Sequence, residues 1–404
     1  MNASRQSLVC LTTSAAFGGA ETSLVTLLGA LRVLEPSWRI VVVAPGSGPL
    51  PDACRAIGVE TVELAYPPAL RTLGETGSGK TLAAAKTRFL AHAVRAAATL
   101  PQYVTALRRL LREHGATVVH SNGLKAHVAA ALAKPSGVRL VWHLHDYVRS
   151  RPMSAKLLRR VVHRADALVA NSESVRGDAA AAFDAAGRIR RVYNAVDLDR
   201  FTPQGSALDL ASLAGLPPDD GCVRLGLVAT FARWKGQDVF IDAISRLRRR
   251  PSVRGYIIGG SVYETAGSQW SLAELKERVA AAGLAGTIGF TAHVADVPAA
   301  LRALDVVVHA STRPEPFGMV IAEGMAAGCA VVAARGGGAS ELFDDGVDAV
   351  AHTPGDARDL AERLGELIEN AGLRPRLGAA ARATACRRFA ASRMAAEFRE
   401  VYLG

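Results

Sequence analysis

The feature that most constrains this chain is a rhythm. Short apolar runs of strand length alternate with longer amphipathic stretches. In the first half the runs are SLVCLTTS from Ser7, RIVVVAPG from Arg39, VETVELAY from Val59, ATVVHSNG from Ala116, RLVWHLHD from Arg139, ALVANSES from Ala167 and IRRVYNAV from Ile189. Most are rich in Val or Ile and run into Gly, Ser, Asn or Asp. Helical patterns such as LVTLLGALRVL, from Leu24, lie between most of them. Strands that are apolar on both faces and joined by helices belong in a parallel sheet covered on both sides. A polar, turn-rich stretch from Asp197 to Gly221 reads as a linker. The rhythm then restarts with VRLGLVATF, GYIIGG, TIGFTAHV, LDVVVHAS and CAVVAARGG. The expected fold is α/β, with two Rossmann-like, doubly wound domains whose strand ends face one interdomain cleft. The expected divisions are 1–198, 199–385, and a last segment 386–404 whose helix crosses back to the first domain.

Composition narrows the function classes. Of 404 residues, 50% are hydrophobic and 21% charged, which excludes a disordered chain. No apolar run approaches the ~18 residues of a membrane-spanning helix. The N-terminal stretch, with Arg5 and then LVCL, is too short for a secretory signal. The five cysteines are widely spaced and form no C-x-x-C pair, so neither a disulfide framework nor a zinc ribbon is expected, and the expected compartment is cytoplasmic. The net charge of +11 suits an anionic ligand, an anionic membrane face or nucleic acid. With 5% aromatic residues and no recognition motif, nucleic acid is not expected.

The richest segment is HASTRPEPFGMVIAEGMAAG, His309 to Gly328, which follows the run LDVVVHA. Pro314 and Pro316 hold an extended approach, and a helix is expected from about Phe317. A helix N-terminus offers unpaired amides and a positive dipole end to phosphates. Glu315 precedes that start and Glu323 lies eight residues later, about 12 Å along a helix. A nucleotide sugar is about that long. One carboxylate can meet the sugar and the other the ribose hydroxyls. The amides of Phe317, Gly318, Met319 and Val320 can meet the diphosphate. Two glutamates on a surface helix are otherwise ordinary, so the flanking strings carry the weight.

Those strings resemble the family-4 retaining glycosyltransferases of the GT-B fold, whose signature places two glutamates within EPFG…E-A-M-A-x-G. Here it reads EPFGMVIAEGMAAG, with Gly324 where Ala is usual. FGGAE (Phe17 to Glu21), HSNGLKAH, HLHD, ANSES, VYNAVDLDRF, ARWKGQD (Ala232 to Asp238) and GGGASE (Gly336 to Glu341) are similar to further pieces of that family, in the same order. The resemblance implies transfer of a sugar from a nucleotide-diphosphate sugar to an acceptor hydroxyl, with retention at the anomeric carbon. It implies no metal and no cofactor beyond the donor substrate. His145, Lys235 and Glu315 are the expected catalytic residues. Gly18, Gly19, Arg233, Phe317, Gly318, Met319, Val320 and Glu323 are the expected donor contacts. The family usually carries an Arg where Thr230 stands, and Arg233 is the candidate replacement. Relatives with phosphorylase, epimerase or coupling chemistry, and a non-catalytic nucleotide-sugar-binding subunit, are alternatives.

Two further features compete. GETGSGKT, Gly74 to Thr81, fits the Walker A pattern and suggests an NTPase or kinase. A P-loop needs a strand running directly into its first glycine, and Pro67 and Pro68 break one here. His143, His145 and Asp146 could also bind a cation, although no second ligand cluster accompanies them. The stretch from Val148 to Arg164 carries Arg149, Arg151, Lys156, Arg159, Arg160 and Arg164, interleaved with Leu157, Leu158, Val161 and Val162. TALRRLLREHG from Thr105 is similar. Basic amphipathic helices can rest on anionic lipid, or simply pack on a sheet with their charges in water.

Overall fold

The structure, a computed structural model, describes residues 6–68, 99–218, 220–247, 253–261 and 268–404. The GETGSGKT string lies outside the described residues. The chain divides into two compact units. One runs to Ala195 and takes up Ala391–Gly404; the other is Val196–Ala390.

The first unit holds a seven-stranded parallel sheet. Its strands are β1 (Ser7–Thr12), β2 (Arg39–Ala44), β3 (Glu60–Glu63), β4 (Val118–Asn122), β5 (Arg139–Leu144), β6 (Ala167–Ala170) and β7 (Ile189–Arg191). They lie in the order β3-β2-β1-β4-β5-β6-β7. Side chains alternate across a strand, so β1 feeds two cores. Val9 and Leu11 enter one face, while Leu8 and Cys10 enter the other. The second face is closed by the helices Gly19–Leu34 and Ala391–Leu403. The latter buries Met394, Ala395, Phe398, Val401 and Tyr402 completely or nearly so. At about 1.5–3 kcal/mol for each large apolar side chain, this burial explains why a chain-terminal helix docks there.

The second unit holds six parallel strands, β8 (Val223–Val228), β9 (Val253–Ile258), β10 (Ile288–Thr291), β11 (Val306–His309), β12 (Ala330–Ala334) and β13 (Val350–His352). Their order is β10-β9-β8-β11-β12-β13. Both sheets are doubly wound, as the alternating pattern predicts. In each, the strand order reverses at one place, between β1 and β4 or between β8 and β11. Connections leave such neighbours in opposite directions, so a crevice opens at their carboxyl ends.

Three sequence expectations need correction. The stretch after Asp197 is not a free linker. Phe201 and Leu210 are buried, the Leu208 amide bonds to Ala299 O, and Arg382 donates to the carbonyls of Phe201 and Leu198. The unit divisions fall at Ala195/Val196 and Ala390/Ala391, where Val196 N donates to Phe389 O and the two crossings lie side by side. Strand β13, three residues long, has no counterpart among the apolar runs. Among the described residues, no helix is long and apolar enough to cross a membrane.

Candidate active site

The switch point of the second unit brings together two residues eighty apart in sequence. After β8 the chain makes a tight turn over Arg233–Lys235 into the helix Gln237–Ser245. Gly236 closes the turn in the left-handed region, at φ 76°. A Cβ there would stand 2.0 Å from Ala310 O, so only glycine lets the turn lie against the segment leaving β11. That approach delivers Lys235 to Glu315: Nζ donates to Oε1 at 2.5 Å. The other carboxylate oxygen accepts from His309 Nε2 at 2.6 Å and from Ser311 Oγ at 2.8 Å. Glu315 is buried, and burial alone would raise its carboxyl. The Lys235 ammonium and His309 outweigh that and hold it well below the usual carboxylate range. The glycine turn GGGASE packs beside it, with Gly338 N donating to Glu315 O. His309 and Ser311 were not singled out from sequence. Their only signal was position, on and just beyond the end of β11.

The helix after Glu315 begins later than expected. It spans Met319–Ala326, with Gly318 as its cap at φ 96°. The path from Glu315 to Glu323 is therefore extended at first and helical only in its second half. The helix start sits beside Glu315 with its first-turn amides pointing out of the helix. Phe317 contributes its ring to the core, edge-on to Phe389 with centroids 6.0 Å apart, so its role toward a ligand is limited to backbone. Glu323 lies on the second turn and is partly buried. Its carboxylate accepts no hydrogen bond among the described residues. Burial pushes that carboxyl up to about 7, with Arg200 pulling the other way. Arg200 comes from the VYNAVDLDRF string and was also missed from sequence.

Arg233 is already engaged. Its guanidinium donates to Glu274 at 2.7 Å and lies 3.7 Å over the Trp270 ring. Thr230 offers its backbone carbonyl to Gln237 Nε2.

In the first unit, the β1/β4 switch point gathers the glycine-rich loop, β4's end and β5's end. Gly18 caps the helix Gly19–Leu34 in extended backbone, which any residue adopts. A Cβ there would meet only the flexible tip of Glu21, Oε2 at 3.1 Å. Burial raises the Glu21 carboxyl, amides of the loop oppose this, and Asp146 adds to it. His145 lies just past β5, with Nε2 2.6 Å from Asn122 Oδ1. The acceptor fixes the tautomer, with the proton on Nε2. Burial pushes His145 down to about 3, so the ring is neutral near pH 7. Asn122 also donates to Ala20 O at 3.5 Å, linking the His145 ring to the first turn of the helix after β1. His143 is fully buried beneath His145, their centroids 3.9 Å apart. Among the described residues, no three metal-ligating side chains converge.

Residues 17–200 match the family model for Glycosyltransferase Family 4, and residues 217–384 the model for Glycosyl transferases group 1. A D-inositol 3-phosphate glycosyltransferase of Nocardioides sp. is 31% identical over 287 residues, which is 65% of this chain and 62% of the relative. A GDP-mannose-dependent alpha-(1-6)-phosphatidylinositol monomannoside mannosyltransferase of Mycolicibacterium smegmatis is 29% identical over 70% of this chain and 75% of its own. The chain spans less than two thirds of the length of the D-inositol 3-phosphate glycosyltransferases it matches, 52% to 64%. Among solved structures, Anabaena HepE in complex with UDP-glucose aligns with a TM-score of 0.79 at 26% identity, over 98% of this chain and 99% of HepE. Two sheets of this topology, the ordered motifs and these matches together assign the chain to the group 1 glycosyltransferases of the GT-B fold.

Proposed function

We propose that the protein moves a sugar from a nucleotide-diphosphate sugar to an acceptor hydroxyl, with retention at the anomeric carbon. The observation that carries this reading is the β8/β11 switch point. There the Lys235 ammonium meets Glu315 just before a helix start, and on the second turn of that helix stands the Glu323 carboxylate, which accepts no hydrogen bond among the described residues. The names of relatives support the same donor class: HepE holds UDP or UDP-glucose, and the mycobacterial relative is GDP-mannose-dependent.

In this reading the diphosphate lies across the amides of Phe317 to Val320. Lys235 and the helix dipole stabilise the negative charge that grows on the leaving phosphate. Glu315 holds Lys235 in place and borders the sugar. Glu323 accepts from the ribose hydroxyls, a bond that favours its ionised form. Arg233 supplies a second cation. Its pair with Glu274 is substantially solvent-exposed, and exchanging that partner for a phosphate costs little. His145 and the Gly18–Gly19 loop act toward the sugar. The departing phosphate oxygen takes the acceptor proton, so no separate general base is named. No metal is required where Lys235 and the amides carry that charge. The five unpaired cysteines fit a reducing, cytoplasmic compartment.

The test is calorimetric titration with nucleoside diphosphates, combined with product analysis from a labelled donor. Glu323→Ala should weaken donor binding, and Lys235→Ala should chiefly slow turnover. Unchanged donor affinity in the glutamate variant would contradict its role. A product lacking the acceptor–sugar bond would replace transfer by another chemistry.

A further inference from the structure

Among the described residues, one surface is built unlike the rest. Between Arg149 and Arg164 the chain has six basic side chains and no acidic one. The helix Pro152–Val161 occupies the middle of this stretch. Leu158 and Val161 anchor it to the core, as does Val162 just after it. Met153 and Leu157 do the opposite. They sit four residues apart, on one helix face, and are 59% and 46% exposed. Lys156 and Arg160, three residues beyond Met153 and Leu157 respectively, flank them. Arg151 reaches Asp146 and Arg159 donates to Ala182 O. The side chains of Arg149, Lys156, Arg160 and Arg164 have no ion-pair partner among the described residues. In the other basic helix, over 99–113, Arg108 bonds to Leu132 O and Arg109 pairs with Glu113.

We propose that this face docks on an anionic phospholipid bilayer, with Met153 and Leu157 inserted and the surrounding cations on the headgroups. An apolar pair ringed by long basic side chains matches the interface, where the tips lie among phosphates and the stems follow the acyl chains. A second copy of the chain would bring like charges together. A nucleic acid would leave the two apolar side chains without a partner. The helix follows β5, so its N-terminal half lies at the carboxyl edge of the sheet, near His145. Resting on the transferase reading, this makes the acceptor an amphiphile presented at that bilayer.

The test is sedimentation of the full chain with phosphatidylcholine vesicles, with and without phosphatidylglycerol, at low and high salt. Binding is expected only to anionic vesicles and should weaken with salt. Lys156→Gln with Arg160→Gln should lower the partition coefficient about 25-fold, roughly fivefold per charge. Leu157→Ser should lower it about tenfold and leave the salt dependence intact. Each variant should keep the wild-type melting temperature and its rise with nucleoside diphosphate, which shows the fold and donor site are undisturbed. Equal binding to neutral vesicles, no binding, or undiminished binding by the double variant overturns the proposal. Concentration-dependent dimerisation lost in the same variants would overturn it in favour of a second copy. Vesicle binding without sugar transfer would keep the docking surface and sink the transferase reading. Transfer by a chain that ignores vesicles would do the reverse.

Discussion

Replacing Glu323 by Gln should make the protein more stable in alkali while disabling it. The carboxyl lies at about 7 in the folded chain against 4.5 when exposed. A raised acid binds its proton in the folded state throughout the window between those values, while the unfolded chain has already lost it. Stability is therefore full below the lower value, falls as pH rises through the window and levels off above the upper one. Moving a carboxyl from 4.5 to about 7 corresponds, at 1.36 kcal/mol per pH unit, to about 3 kcal/mol at most. Glu323 keeps part of its surface in water, so roughly half of that, about 1.5 kcal/mol, is expected. Gln has the same shape and no charge, so it removes this cost. For a unit of this size the gain is a Tm rise of about 3–6 °C near pH 8. Near the lower end of the window the two proteins should melt together. The assay is thermal unfolding of both proteins at both pH values, with calorimetric titration of a nucleoside diphosphate. A Tm difference that is the same at both pH values, or of opposite sign, would refute the desolvation argument.

Three other outcomes are expected. Gly236→Ala should cost roughly 3 kcal/mol, from the left-handed backbone and the clash with Ala310 O; an unchanged denaturant midpoint would show that the turn has room. Lys235→Met should destabilise by about 3 kcal/mol, because it leaves the buried Glu315 carboxylate without its cation. A depressed carboxyl contributes above its unfolded value and loses the contribution as pH falls. Acid unfolding should therefore begin at higher pH in that variant, and an unmoved acid midpoint would count against the pair. Asn122→Leu removes the acceptor that orients His145. It should lower kcat roughly tenfold, the equivalent of one ordinary hydrogen bond, with KM little changed; an equal loss in KM alone would make Asn122 a binding residue instead.

Much of this was readable along the chain because it is local. A run such as RIVVVA needs only its own unbroken apolar character and its neighbours' turn residues to declare a buried strand. The pairing of GGGASE with EPFG was not readable, although both strings were. Nor was the status of Arg233, whose partners Trp270 and Glu274 lie 37 and 41 positions on. The helix start moved two residues, from Phe317 to Met319, because Phe317 is a core side chain and Gly318 takes a left-handed cap.

By itself, then, the amino-acid sequence determined two doubly wound parallel sheets, since these follow from periodicity and turn chemistry over a few residues, and the short strings proposed to carry the chemistry were picked out by family resemblance. Only the tertiary structure decided which charges meet. Lys235 reaches Glu315 because β8 and β11 are neighbours in the sheet, and His145 is held by Asn122 because β4 and β5 are. Strand order and burial are properties of the whole assembly, and they set both the low carboxyl of Glu315 and the high one of Glu323.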